Sequence, residues 1–305
     1  MIAAALFLAG SQAATAMSPD AITRRVIAAP AKPVVTGPLT CVPLTLSDGH
    51  AIIPVTLAGQ TLRLIFDTGS PGGPHIDSAI IDKLNLTKIG EVRMTDPSMQ
   101  NIKTIGLYQL RDLKIGSLTI HDWNVSGSPP SPNLANKPDG VIGLDAFSGY
   151  VVTIDYPGGR VVATPGRLPE PDGKTSFRYQ GPIPVVPLTI EGQPIDAHVD
   201  TGNARYALIL PQSYAAHLAG YSNRFPIGVA HTINNQYNLM ALPIRDAKVG
   251  NLPLYAGTAA FPAPATIGNI GAPLLRDFVI KVDPANSIIS LERATPALEP
   301  GCSNP

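Results

Sequence analysis

"IPVTLAGQTLRLIFDTGS" spans residues 53–70, and "VPLTIEGQPIDAHVDTGN" spans residues 186–203. The two stretches align without a gap. Pro54 falls on Pro187, Thr56 on Thr189, Gly59-Gln60 on Gly192-Gln193, and Asp67-Thr68-Gly69 on Asp200-Thr201-Gly202. Most remaining pairs are apolar on apolar. A single Asp-Thr-Gly triplet arises by chance often enough to mislead. Two copies in matched surroundings point instead to a duplication.

The repeat extends well beyond the triplets. "DLKIGSLTI" (112–120) falls on "DAKVGNLPL" (246–254), and "VIGLDAFSGYVVTIDYPGGRVV" (141–162) falls on "NIGAPLLRDFVIKVDPANSIIS" (269–290). Ile142, Gly143, Val151 and Asp155 recur as Ile270, Gly271, Val279 and Asp283. Three blocks in one order, at nearly constant offset, define an internal repeat whose period is far too long for a solenoid. The chain divides into a first lobe at 41–165, a Pro/Gly-rich connector at 166–180 and a second lobe at 181–305. Residues 17–40 form a polar, Pro-containing leader.

Each lobe carries the signature of an all-β unit with few short helices. "AIIPVTLAGQTLRLIFD" predicts two strands about a turn at Gly59-Gln60. The near-continuous apolar run "LRLIF" suits a strand buried on both faces. "VVTIDYPGGRVVA" predicts a second hairpin turned at Pro157-Gly158-Gly159, which is a simpler reading of "YPGGR" than a phosphate loop. A short helix is expected after each triplet. The first lies near 77–86 with Asp77 or Ser78 as its cap. The second lies near 211–220, with Pro211 early and Gly220 as its stop. Each lobe is then β-barrel-like and carries one triplet.

Composition excludes several functions. With 44% hydrophobic and 14% charged residues, the 305-residue chain can bury a core. Lys+Arg and Asp+Glu both count 22, which leaves no net charge to attract nucleic acid or an anionic membrane surface. No Cys/His spacing resembles a zinc site, and neither a metal nor a cofactor is called for. Residues 1–16 resemble a signal peptide. The apolar part, Ile2 to Ala9, is too short to span a membrane, and Ala14-Thr15-Ala16 fits the cleavage pattern, although no Lys or Arg precedes it. Export to the periplasm or the exterior is therefore expected, with no membrane span. In an oxidising compartment Cys41 and Cys302 can form a disulfide tying the two ends of the mature chain together. Two unpaired buried thiols are the alternative.

The chemistry follows from the duplication. If the lobes pack about a pseudo-twofold axis, Asp67 and Asp200 meet across a cleft. Two carboxylates at contact distance cannot both be charged cheaply, so they share one proton. The ionised member can act as general base on a water, and the protonated member as general acid toward a substrate carbonyl, splitting an amide bond without a covalent intermediate. Gly69 and Gly202 allow the tight turns that bring N–H groups to the carboxylates. Thr68 and Thr201 can bond across the interface and stiffen both loops. Ser70 can bond the outer oxygen of Asp67, and Asn203 can donate to Asp200. Asp155 and Asp283, at matching hairpins, suit turn-capping. Trp123 suits lobe packing.

At these residues the chain resembles the pepsin/retropepsin-like aspartic peptidases in their two-lobed, single-chain form. The likeness rests on hydrophobic-hydrophobic-Asp-Thr-Gly in each lobe, followed by hydrophobic-hydrophobic-Gly in "DGVIGLD" (139–145) and "ATIGNIGAPLLRDF" (265–278). It implies a bilobal pepsin-like acid protease fold, with the later segment packed beneath each catalytic loop. It also implies endopeptidase activity by Asp67 and Asp200 on an extended polypeptide, in a monomer. Three positions depart from the family pattern. Asn203 stands where Ser, Thr or Ala is usual. The expected flap, "MTDPSMQNIKTIGLYQL" (94–110), lacks the usual tip, and Tyr108 lies close to the following strand. His198 interrupts an apolar strand, where a neutral, hydrogen-bonded imidazole is expected. The departures admit a second reading, a catalytically weak or inactive peptide-binding or protein-binding module. A carboxylate-pair glycosidase is a third, disfavoured by the single Trp.

Overall fold

The structure is a computed structural model that describes residues 33–94, 102–128, 137–231, 236–261, 265–294 and Cys302. The expected signal peptide at 1–16, the leader up to residue 32 and the flap tip at 95–101 lie outside the described residues. No described helix is long and apolar enough to cross a membrane.

The hairpin ahead of each triplet turns on two residues with positive φ. His50–Leu57 pairs antiparallel with Gln60–Phe66, from Ile52 opposite Ile65 to Leu57 opposite Gln60. The two residues between them, Ala58 and Gly59, have φ of 48° and 79°. Positive φ at both positions gives the turn whose twist matches that of the strands, and glycine takes the second position without steric cost. The turn therefore sits one residue earlier than the expected Gly59-Gln60, and Gln60 already belongs to the next strand. The second copy repeats the solution: Glu191 and Gly192, at 49° and 80°, join Val185–Ile190 to Gln193–Asp200.

The first nine-stranded sheet runs in the order Val34–Thr36, Leu118–Ser128, His75–Asp77, Gly140–Ile142, Gln60–Phe66, His50–Leu57, Lys103–Ile115, Lys88–Met94, with Thr45–Ser47 beside His50–Leu57. The long strand Lys103–Ile115 also pairs with Leu118–Ser128, which closes the sheet on itself as a barrel. The second sheet, drawn from 185–271 with an arm at Phe225–His231, repeats the inner order: Thr258–Phe261, Leu208–Ile209, Gly268–Gly271, Gln193–Asp200, Val185–Ile190. Pairing senses repeat too. Gln60–Phe66 is parallel to Gly140–Ile142 as Gln193–Asp200 is to Gly268–Gly271. One strand differs: Lys103–Ile115 corresponds to two separate strands, Gln236–Pro243 and Ala247–Val249.

A six-stranded sheet joins the two halves, in the order Ser176–Arg178, Ile288–Arg293, Phe278–Asp283, Tyr150–Asp155, Arg160–Pro165, Thr40–Pro43. At its centre Val152 lies opposite Val282 and Ile154 opposite Ile280, flanking Thr153 opposite Lys281. In the sequence repeat Val152 matches Ile280 and Ile154 matches Val282, so the register is unchanged when the halves are exchanged. A local twofold axis passes beside the Thr153 and Lys281 pair.

The remaining expectations meet their local physics. Asp77 caps the helix Ser78–Lys83 by accepting the Ala79 N–H at 2.9 Å. The second helix is shorter than expected, Gln212–Ala215. Gly220 is not its stop; it lies within the 3-10 turn Ala219–Asn223. Leu218 N–H already donates to Ala215 O, a spacing of three that tightens the last turn. Val34–Thr36 pairs with Thr119 to His121, and Gly37 O accepts the Tyr150 hydroxyl at 2.7 Å. Asp155 accepts the Gly158 N–H at 2.8 Å and the Arg160 Nε–H at 2.9 Å, while Asp283 accepts the Asn286 N–H at 3.1 Å, so both cap turns. Trp123 is fully buried in the core. Cys41 and Cys302 are joined as a disulfide, with Cα atoms 5.7 Å apart.

Candidate active site

Each Asp-Thr-Gly loop hangs from a buried strand. Leu64 and Phe66 are fully buried, and Phe66 meets Phe147 edge-on with ring centroids 5.5 Å apart. The strand end is thereby fixed by packing before the polar loop begins. Asp67 N–H donates to Ile142 O at 2.9 Å, which ties the loop to its parallel neighbour. Ser70 N–H closes the turn on Asp67 O at 3.2 Å, and Asn203 N–H closes the other on Asp200 O at 3.3 Å. The hydrophobic-hydrophobic-Gly segments form the floor. A Cβ on Gly143 would collide with Ser70 O, and one on Gly271 with Tyr206 O and the Asn203 side chain. Both glycines are required by close approach of backbone to backbone.

The two loops are cross-linked by their threonines. Thr68 N–H donates to Thr201 Oγ1 at 3.0 Å, and Thr201 N–H donates to Thr68 Oγ1 at 3.1 Å. The Thr68 hydroxyl donates to Val199 O and the Thr201 hydroxyl to Phe66 O, both at 2.6 Å. Thr68 and Thr201 are 2% and 0% exposed, so water cannot substitute for these bonds. The set maps onto itself when the halves are exchanged, and it marks a second point on the twofold axis.

The cross-link brings Asp67 and Asp200 together. Gly69 N–H donates to Asp67 Oδ1 at 2.7 Å, while Gly202 N–H and Asn203 N–H donate to Asp200 Oδ1 at 3.0 and 3.1 Å. Each glycine also abuts the opposite carboxylate: a Cβ on Gly69 would lie 2.9 Å from Asp200 Oδ1, and one on Gly202 would collide with the Asp67 carboxyl. Burial pushes the Asp67 carboxyl well above the usual carboxylate range, and the neighbouring Asp200 charge adds to it. The N–H groups of Gly69 and Gly202 oppose the shift in part.

Two supporting side chains act differently from expectation. Ser70 reaches Asp67 through its backbone N–H to the Asp67 carbonyl. Asn203 reaches Asp200 through its backbone N–H; its side chain turns instead to Tyr206 and Asn269. Asn203 Oδ1 accepts the Tyr206 N–H at 3.1 Å, and Nδ2 donates to Tyr206 O at 3.0 Å and to Asn269 Oδ1 at 2.8 Å. Asn269 Nδ2 then donates to Asp200 Oδ2 at 2.5 Å. Sequence reasoning passed over Asn269. A signal existed: in the repeat it occupies the place of Val141, a polar residue where the other copy is apolar.

His198 alternates along its strand with buried Ala197 and Val199 and shares the face of Asp200. Burial lowers its pKa and the Asp200 charge partly restores it, so at neutral pH the ring is uncharged. Three further groups surround the pair and escaped sequence reasoning. His50, at a hairpin end, feels the charges of Asp200 and Arg276, and burial lowers its pKa. Tyr156 is 8% exposed and senses both aspartates. Arg276 donates through Nη2 to Gly49 O at 2.9 Å and so links the second half to the hairpin of the first.

The expected flap is a hairpin of Lys88–Met94 against Lys103–Ile115. Tyr108 lies inside the second strand, opposite Val125 and beside Gly106 and Gly127, away from the tip. A matching hairpin, Phe225–His231 against Gln236–Pro243, projects from the other half with Phe225, Ile227 and Val229 exposed. Sequence reasoning did not anticipate this second arm.

Residues 53–146 match the family model described as aspartyl protease. The matched span includes the first triplet and its Gly143 floor. No curated protein matches the chain.

Proposed function

We propose that the chain is an exported aspartic endopeptidase of two-lobed, pepsin-like design, with lobes at 41–165 and 181–305 joined by a connector at 166–180. Asp67 and Asp200 form its catalytic dyad. The observation that carries the reading is the reciprocal Thr68 and Thr201 bonding, which holds two Asp-Thr-Gly loops face to face. The match of residues 53–146 to aspartyl proteases supports it. The Cys41–Cys302 disulfide supports export, since such bonds persist in oxidising compartments.

In this reading a water sits between the carboxyls. The ionised aspartate takes a proton from the water as it attacks the scissile carbonyl carbon. The protonated aspartate delivers its proton to the carbonyl oxygen, giving a neutral tetrahedral diol. Collapse of the diol breaks the C–N bond, and proton transfer to the nitrogen releases the amine. The substrate is a polypeptide in extended conformation, laid between the projecting hairpins, and the enzyme acts as a monomer. The test is digestion of an unfolded polypeptide across an acidic pH series. Asp67→Asn and Asp200→Asn should each abolish cleavage. Undiminished cleavage by either variant would remove the dyad from the mechanism, and a peptide bound but recovered intact would indicate a binding module.

A further inference from the structure

We propose that Asn269 is a positioning residue that keeps Asp200 the ionised member of the pair and leaves the shared proton on Asp67. The inference rests on the peptidase reading for its consequence, but not for its geometry.

The polarity of the hydrogen-bond chain carries the argument. The backbone of Tyr206 presents one group that can only donate and one that can only accept. Its N–H meets Asn203 Oδ1, and its carbonyl meets Asn203 Nδ2. This fixes which way the Asn203 amide points. Asn203 Nδ2 then faces Asn269 and requires an acceptor there, which is Asn269 Oδ1. The Asn269 NH₂ group is thereby turned to Asp200 Oδ2. The Tyr206 backbone, acting through Asn203 and Asn269, thus dictates that this oxygen accepts rather than donates.

Asp200 Oδ1 already accepts two backbone N–H groups, from Gly202 and Asn203. Both oxygens of Asp200 are therefore held as acceptors. Asp67 lacks an equivalent amide, because Val141 stands where Asn269 stands in the other half. Asp67 and Asp200 share a side-chain hydrogen bond, and one of them must supply its proton. Donors to the charged form stabilise that form, so Asp67 is the donor. The burial that raises the Asp67 pKa acts in the same direction.

Other ionisable groups face the pair from each neighbouring element. His198 lies on the strand of Asp200, His50 on the first hairpin and Tyr156 on the turn of the six-stranded sheet, with Arg276 at the end of the helix Ala272–Leu275. None of them makes a hydrogen bond to Asp200 among the described residues. Apart from Asp67, Asn269 is the side chain among the described residues that does.

The test is carboxyl-carbon NMR of protein labelled at aspartate, titrated without substrate, with resonances assigned by Asp67→Asn and Asp200→Asn. In the wild type, the lower step of the pair should be dominated by Asp200. In Asn269→Val that step should rise by about one pH unit, and Asn269→Ser, which keeps a donor, should restore part of the shift. If Asn269→Val does not fold, Asn203→Ala decides, since it frees the Asn269 amide and should raise the same step by less. An unmoved or lowered step in the folded variant overturns the proposal. The readout separates the two claims. Wild-type protein that cuts nothing yet shows the shift refutes only the peptidase reading, and protein that cuts but shows no shift refutes only the proton placement.

Discussion

Thr68 and Thr201 each anchor the other's loop: the Thr68 hydroxyl binds the carbonyl of Val199, just before Asp200, and the Thr201 hydroxyl binds the carbonyl of Phe66, just before Asp67. Neither half can place its own aspartate without the other. The site is therefore a property of the interface between repeats.

Substituting either threonine by valine removes one hydroxyl and leaves buried N–H and C=O groups without partners. The expected loss is about 1–3 kcal/mol for each unmet group. Chemical denaturation of Thr68→Val and Thr201→Val should show it, with Thr68→Ser close to wild type. The double variant should lose less than the two singles added, because both singles break the same reciprocal set.

Asp67 predicts a stability trend with pH. Its folded pKa lies above the ordinary 3.8, so its contribution is full below that value. It declines as pH rises toward the folded pKa, because the unfolded chain releases its proton first. Asp67→Asn should therefore be more stable than wild type at neutral pH, with the gap narrowing toward pH 4. Denaturant midpoints at the two pH values measure this.

His75 predicts the opposite trend. Its ring is paired with the Ser126 hydroxyl, and burial lowers its pKa to about 4. Its contribution is complete above 6.5 and is lost as pH falls from 6.5 toward 4, where the unfolded chain takes up a proton that the folded one resists. In His75→Gln the acid-side loss of stability over that window should be smaller than in wild type. Parallel thermal scans from pH 7 to pH 4 would reveal it.

The Cys41–Cys302 disulfide closes a loop with a sequence separation of 261. It restrains the unfolded chain, and Cys302→Ser should cost roughly 2–4 kcal/mol. Because Cys41 sits on the edge strand Thr40–Pro43 of the bridging sheet, digestion activity should survive at low temperature. Comparing reduced and oxidised wild type in denaturant isolates the effect from the substitution itself.

Where the backbone imposes a demand on residue type, the fold was legible. Gly59 and Gly192 take positive φ, Gly143 and Gly271 admit close backbone contact, and Asp77 caps a helix. The glycine demands recur in both copies and so stand out against the background, whereas the cap is found in the first half alone, the second helix starting at Pro211 without a side-chain cap. The four-residue helix Gln212–Ala215 is too short to impose a hydrophobic period, and its end was misplaced for that reason. Asn269 could be marked as the polar counterpart of Val141, but its partner could not, since it meets Asp200 across 69 positions. The roles of His50 and Arg276 were illegible because each depends on groups distant in sequence, Arg276 meeting Gly49 across 227 positions. The roles given to Ser70 and Asn203 shifted from side chain to backbone because the tight turns bring their own N–H groups to the aspartates first.

The most direct test of the account is cleavage of an unfolded polypeptide by the wild type, Asp67→Asn and Asp200→Asn across an acidic pH series. The account predicts cleavage by the wild type and loss of it, by several orders of magnitude, in each variant. Cleavage that persists at wild-type rate in either one would contradict a site made jointly by the two halves.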